Sequence, residues 1–397
     1  MTVPQETDVL ILGGGCAGLS LGRHLALATR DPVTRPFRVD IVEARSTYTN
    51  DRTWCCWRVE PHSLDEIVAH RWSKMTVRSG SRTVPIDCPS TPYEMIESSA
   101  FYAHCQSVVA ASPSVRLHLG EHISAAPQPH ENGWQIQTAQ GPITARTIVD
   151  TRPPTRPSAA YARLWQSFVG QTVTCDDRRF DPQTVLLMDF APASTKLLAF
   201  TYVLPRSEHH ALIETTVFAT EQFTAADLAA QQAQAVDTLC GGMPVAISRT
   251  ESGILPMGLT RAKPPPRPDG TSGYVQAGIM SGAARPSTGY AFQRIQHWAA
   301  ACAASLQRGS GPIGHKLDTP LTAWMDGLFL EVLRANPAQG PDLFLSLFER
   351  AGAGSIIRFL SDRATLADRL AIIHALPLGL FLGQASRLAF DQMRRAA

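Results

Sequence analysis

The stretch DVLILGGGCAGLSL, Asp8 to Leu21, decides the reading of the whole chain. A short apolar run, Val9 to Leu12, has the character of a buried strand. Gly13, Gly14 and Gly15 follow, then Cys16, Ala17 and Gly18, so that Gly13, Gly15 and Gly18 fit the G-x-G-x-x-G spacing. Each glycine has a separate steric task. Gly13 permits the sharp turn, Gly15 leaves the backbone open to a diphosphate, and Gly18 lets helix and strand pack closely. A helix-like run, Cys16 to Ala28, begins at once and offers unpaired N–H groups and the positive end of its dipole to an anion. A second strand, Arg38 to Val42, ends at Glu43, 25 positions after Gly18. A carboxylate there is placed for the ribose hydroxyls of an adenosine. The pattern therefore predicts a dinucleotide site built from Gly13, Gly15, Cys16, Ala17, Gly18 and Glu43. The pattern alone fits FAD and NAD alike.

The chain has 397 residues, 44% hydrophobic, and a mean hydropathy of −0.07. That length suits two interleaved domains. No apolar run approaches the ~18–20 residues of a membrane span. Met1 to Thr7 is polar and Val9 to Leu12 is too short for a signal-peptide core, so a cytoplasmic protein is expected. The net charge of +2 gives no argument for nucleic acid. The eight cysteines show no CxxC and no Cys/His spacing suited to zinc, and no metal is expected. Cys55 and Cys56 are adjacent, a poor geometry for a disulfide, which fits a reducing compartment.

Along the chain, Ala44 to Trp57 reads as an aromatic-rich loop carrying Arg52, Trp54 and Trp57, placed to cover a cofactor or close a channel. Strands are predicted at Trp72–Arg78 and Arg82–Ile86, a helix over Tyr93–Ala110, and strands at Val115–Leu119, Trp134–Thr138 and Thr144–Val149. The run after Asp150, TRPPTRP, marks a crossover. From Gln166 to Phe218 several strands follow one another without helices, which predicts a mostly antiparallel platform. A helix over Thr224–Leu239 and a strand over Ile247–Leu255 complete it, before a turn-rich loop at Lys263–Gly270. After the short strand Tyr274–Ala277, a second glycine-rich turn, GIMSGAARPSTGY from Gly278 to Tyr290, leads into a helix, Ala291–Leu306. Leu321 to Met393 has helical spacing throughout. Its last part, Leu376 to Arg395, pairs an apolar body with a basic end, as in a helix docked on the protein or lying on a membrane surface.

Taken together, the motifs GGGCAGLSL, NDRTWCCW, DTRPP, FVGQTV, LLMDF, FTYVLPRSEHHALIETTVF, ESGILPMG, ARPSTGY and IIRFLSDRATLADRL resemble, in order and spacing, the flavoprotein lycopene cyclases in their bacterial β-cyclase branch. The resemblance spans nearly the whole chain. It implies an α/β fold of the p-hydroxybenzoate hydroxylase type. That fold has a discontinuous FAD-binding Rossmann-like domain (1–160 and 271–310), a mostly antiparallel β-sheet substrate domain (161–270) and a helical C-terminal region (311–397). It implies a redox-neutral, acid-catalysed closure of the ψ ends of lycopene to β rings, with FAD active in its reduced form and NAD(P)H as reductant. Glu214, in the apolar strand ALIETTVF, is then the acid, with Glu251 as a second catalytic carboxylate. Arg52, Gly278, Gly282, Pro286, Thr288 and Gly289 join the cofactor set. Trp54, Trp57 and Tyr290 are candidates for cation–π contact. The substrate is a carotenoid drawn from a membrane, which implies peripheral attachment to the inner membrane and no obligate protein partner. Two positions depart from the pattern: Arg285 stands where many members have histidine, and Thr215 where many have a second acid. Neither removes the central glutamate. The alternatives are a cyclase of another polyprenyl substrate, an FAD-dependent monooxygenase and a flavin-binding carotenoid carrier.

Overall fold

Three sheets carry the chain in a computed structural model that describes residues 6–28, 38–123, 125–131, 133–153, 162–259 and 273–396. The loop expected at Lys263–Gly270 lies outside these residues. The first sheet has the strand order 115–119, 39–43, 6–12, 141–150, 133–138, 128–130, with Tyr274–Gln276 also on 141–150. Its first four strands and Tyr274–Gln276 run parallel. Val9, Leu10, Ile11 and Leu12 are all buried, because helices cover one face of this strand and a smaller cluster around Trp134 and Ile143 the other. Helices Cys16–Ala28 and Phe292–Gln307 share the first cluster, through Leu21, Leu25, Ile295, Trp298 and Cys302.

The second sheet has the order 245–257, 164–175, 210–219, 198–205, 184–190, 74–79, 82–87. It is antiparallel except where Thr184–Phe190 runs parallel to Lys74–Ser79. Lys74–Asp87 thus hydrogen-bonds into the platform sheet, although sequence places it inside the 1–160 segment. No linker composition marks that excursion; it is fixed by pairing with residues about a hundred positions away. The expected single strand Trp72–Arg78 is broken at Ser73, where the chain passes from one sheet to another.

The third sheet corrects two further expectations. Thr53–Trp57 is not loop but a strand, and Tyr93–Glu97, expected as the first part of a helix, is the central strand between it and Val68–Trp72. The helix begins only at Ser98. Tyr93, Met95 and Ile96 satisfy a helical spacing and a strand equally well over so short a window. Two flanking strands that pair with both edges settle it.

The C-terminal region is helical as expected, with helices Pro320–Ala335, Gly340–Arg350, Ala353–Leu360, Leu366–Ala375 and Leu378–Ala396. Local chemistry sets their ends: Thr319 caps the first, with Pro320 at its first position, and Thr365 and Asp368 form a capping box on the fourth. Phe329, Phe344 and Phe381 from these helices pack with Phe190, Phe200 and Phe218 of the platform in the largest cluster of buried apolar residues. Each such ring contributes about 1.5–3 kcal/mol by burial. The platform is therefore held between the helical cap and the first domain, and its cavity-facing side lies between them.

Candidate active site

A cavity of about 620 Å³ opens where the three parts meet. The two glycine turns, the Thr53–Trp57 strand, the platform and Phe344, Phe348 and Leu360 of the cap all line it. Of the residues singled out in sequence, Gly15, Cys16, Ala17, Arg52, Gly278, Thr288, Gly289, Glu214 and Glu251 reach its wall, as do Trp54, Trp57 and Tyr290. Gly13, Gly18 and Glu43 are not on it. Gly282 and Pro286 are not on the wall; Gly282 closes a short turn with φ 92°.

The first turn fits a dinucleotide phosphate on steric grounds. A Cβ on Gly15 would meet nothing within 4 Å, so its backbone faces open space. A Cβ on Gly18 would run into the carbonyl oxygen of Gly13, and Gly13 itself has φ 94°. Glu43 accepts the Gly14 N–H at 2.6 Å and is gripped by Arg45, whose Nε lies 3.0 Å from Oε1. These bonds outweigh burial and hold the Glu43 carboxyl below its ordinary range. Arg45 also donates to the Gly14 carbonyl at 3.2 Å, and Tyr48 does so at 2.8 Å. Neither was foreseen; an arginine two residues after the acid is the signal that was available. In the second turn the Gly278 N–H donates to His315 Nε2 at 2.8 Å, a partner 37 positions away. Arg52 donates to the carbonyls of Asp51 (3.0 Å) and Ser252 (2.8 Å), so its guanidinium clamps the Thr53 strand to the platform.

The two glutamates meet through strand register. Gly170 pairs with Glu214 on one side and with Glu251 on the other. The three residues form one row across neighbouring strands, and in such a row all side chains project to the same face. Gly170 leaves the space between the carboxylates open, since a Cβ there would sit 3.3 Å from Glu214 Cβ and 3.2 Å from Leu212 Cδ1. Strand spacing puts the two glutamate Cα atoms roughly 10 Å apart.

Their surroundings differ. Glu214 stands among Phe168, Phe200, Phe218, Leu204 and Leu212 on the cavity wall. Thr216 Oγ1 donates to its Oε1 at 2.7 Å. Burial, with the nearby Glu251 charge adding to it, pushes its carboxyl up to about 8. Glu251 accepts from Thr53 Oγ1 at 3.0 Å and lies 3.2 Å from the Arg249 guanidinium. Burial still raises its carboxyl, against the pull of Arg249. The pair therefore combines an acid that keeps its proton at neutral pH with a second carboxylate beside a cation.

Both departures from the family pattern point away from the cavity. Thr215 is one residue off Glu214 and so faces the other side of the sheet, where its N–H donates to Gln232 of helix Ala225–Cys240 at 3.0 Å. Arg285 is buried with its guanidinium over the Phe359 ring at 4.2 Å and bonded to Asp362 (2.8 Å) and Asp326 (3.3 Å), tying the second turn to the cap. Among the described residues, one set of metal-ligand types, His62, Asp65 and Glu94, lies close together. Glu94 there is met by Arg71 at 2.7 Å and Arg58 at 3.1 Å, which makes the set an ion-pair network. All eight cysteines are free.

The fold is that of the p-hydroxybenzoate hydroxylase-like flavoproteins. The chain superposes on a geranylgeranyl bacteriochlorophyll reductase-like protein from Thermoplasma acidophilum with a TM-score of 0.58 at 12% identity, covering 94% of this chain and 96% of the other. The p-nitrophenol 4-monooxygenase of Pseudomonas putida matches with the same TM-score, 0.58, at 12% identity over 95% and 99% of the two chains. Within that fold, the lycopene cyclase protein family matches residues 8–382, and the chain belongs to it. It is 27% identical to the lycopene beta-cyclase of Paracoccus sp. (strain N81106 / MBIC 01143), over 93% of this chain and 94% of that protein.

Proposed function

We propose that this protein is an FAD-dependent lycopene β-cyclase that closes the linear ψ ends of lycopene into β-ionone rings, yielding γ- and β-carotene without net redox change. The observation that carries the reading is Glu214, a carboxyl raised to about 8 in an aromatic cavity that both glycine turns also line. Glu214 delivers its proton to C2 of the ψ end, leaving a tertiary cation at C1. The C5–C6 double bond closes the ring, and loss of the C6 proton ends the reaction. That proton returns to the Glu214 carboxylate or passes to Glu251. Thr216, donating to Oε1, leaves the other oxygen of Glu214 to carry the proton. The apolar wall keeps Glu214 protonated at neutral pH, so the proton is in place for the alkene, and keeps water away.

Gly13, Gly15, Ala17, Gly18 and Glu43 would hold the dinucleotide part of FAD, and Gly278, Thr288 and Gly289 its ring end. When bound and reduced, with NAD(P)H as reductant, the flavin supplies negative charge near the cation. Anaerobic incubation with lycopene in liposomes, dithionite and no NAD(P)H tests the reading. A cyclised product of unchanged mass supports it; no conversion, with oxygen-dependent NADPH consumption on another substrate, would replace it with a monooxygenase.

The pH dependence follows from Glu214. Its carboxyl is raised in the folded state to about 8, from an ordinary value of 4.5. The cyclisation rate is therefore expected to fall as pH rises past about 8. Between the two values the folded protein binds more protons than the unfolded chain, so this group's contribution to stability is full below the lower value and declines until the upper one is passed. Thermal melting followed from pH 5 to 9 checks this.

The carotenoid is drawn from a membrane, and the C-terminal helices are the proposed contact. Among the described residues no single helix is long and apolar enough to cross a bilayer, but Leu366–Ala375 and Leu378–Phe390 together are apolar and meet at 100°. Leu366 and Leu370 on one, and Leu378 and Leu382 on the other, are exposed one turn apart. Attachment on the cytoplasmic face of the inner membrane would bury these side chains. Replacing Leu370 and Leu382 together by Ser is expected to reduce co-sedimentation with anionic vesicles about ten-fold, with an unchanged melting temperature. Equal co-sedimentation of variant and wild type would remove this surface from the proposal.

A further inference from the structure

Three tyrosines from distant parts of the chain join hydroxyls on the cavity wall beside Glu214. Tyr202 donates to the Tyr93 hydroxyl at 3.0 Å, and the Tyr93 and Tyr290 hydroxyls lie 3.1 Å apart. The Cys55 thiol hydrogen-bonds Tyr202. The Trp57 ring packs against Tyr93 at 4.9 Å and Tyr290 at 5.2 Å. Tyr202 is the direct cross-strand partner of Glu214, so this aromatic corner begins next to the acid. Tyr93 is only 1% exposed. Burial raises all three phenols above their ordinary value and keeps them neutral.

A buried hydroxyl must find a partner, and in a cavity the ready partner is water. Here each hydroxyl has a partner within the trio. A tertiary cation next to a held water would be captured by it. The oxygen lone pair would form a C–O bond at C1, and the extra proton would pass to the Glu214 carboxylate, giving a tertiary alcohol equal to substrate plus one water. We propose that the Tyr93–Tyr202–Tyr290 hydroxyl network controls how the reaction terminates, by holding no water beside the C1 cation so that ring closure wins over hydration. The proposal rests on the cyclase reading. The tyrosines act through the water they exclude, and their rings present π-faces to the same charge.

The test uses the full-length, flavin-loaded protein with lycopene in liposomes made up in ¹⁸O-water, with products separated by chromatography and mass. Tyr93→Phe removes the central oxygen and leaves both neighbours without that partner. It is expected to raise the ratio of hydrated to cyclised product about ten-fold or more, with the heavy oxygen in the alcohol. Tyr290→Phe, which keeps the Tyr202–Tyr93 bond, is expected to move the ratio the same way and serves if Tyr93→Phe folds poorly. Phe168→Leu, a change in the same wall without a hydroxyl, is expected to leave the ratio alone. A wild-type ratio in both tyrosine variants, at whatever rate, would overturn the proposal, as would an equal rise in Phe168→Leu. Wild-type protein that forms no ring product of unchanged mass would instead overturn the cyclase reading itself.

Discussion

Glu214→Gln is expected to lose ring closure by about 10²–10⁴-fold, the usual contribution of a positioned general acid, while still binding flavin. Glutamine keeps the shape of the side chain, and its Oε1 still accepts the hydrogen bond that Thr216 gives to Glu214. What it lacks is the proton. The same substitution has a signature in stability. The wild-type carboxyl, raised to about 8 by burial, makes the folded state progressively less stable between pH 4.5 and about 8, because the unfolded chain is free to ionise. Glutamine has no such group, so the variant should lose much of that pH dependence and match or exceed the wild type above pH 8. Inactivity together with a flattened melting profile identifies Glu214 as the acid of the site. Retained cyclisation would exclude it, and inactivity with a melting temperature lowered at every pH would point to a packing role.

The two glycines of the first turn are expected to fail in different ways. A side chain at Gly15 projects into open space, with no atom of the protein within 4 Å of a Cβ. Gly15→Val should therefore fold normally and give a colourless protein, since its methyl groups occupy the room that a diphosphate needs. Gly18 is the reverse. Any Cβ there collides with the Gly13 carbonyl, on the backbone of the turn itself. Gly18→Ala should destabilise the apoprotein by about 1–3 kcal/mol or more, in the range of overpacking within a closed core, and lose flavin as a consequence. Melting must be compared without flavin, because ligand binding alone would otherwise shift the wild type. A yellow Gly15→Val protein would count against the cofactor site; an unperturbed Gly18→Ala protein would count against the tight crossing of helix and strand.

These contrasts separate what is written locally from what is not. The turn at Gly13–Gly18, the strand before it, the helix after it and the acid at Glu43 were legible because each demand falls on a single residue: a positive φ, a missing Cβ, a carboxylate at the end of a strand. The helical C-terminal region was legible for a similar reason, since its apolar residues repeat at the spacing of its own backbone. Glu214 was legible as an acid in an apolar strand, helped by the family motif.

The company Glu214 keeps was not. Its partnership with Glu251 depends on both pairing with Gly170, and that register joins residues more than thirty positions apart on either side. The tyrosine hydroxyls come from a strand read as helix, a platform strand and the end of the second glycine turn. Arg285 and Thr215, conspicuous in sequence, turn out to face the cap and the helix behind the sheet. The sequence by itself determined the turns, the periodicities and the setting of Glu214 in an apolar strand, because those depend on sterics and burial within a few residues. Only the tertiary structure decided which side chains share the cavity. Strand register and the meeting of three sheets are set by long-range pairing, and that pairing leaves no spacing in the chain to read.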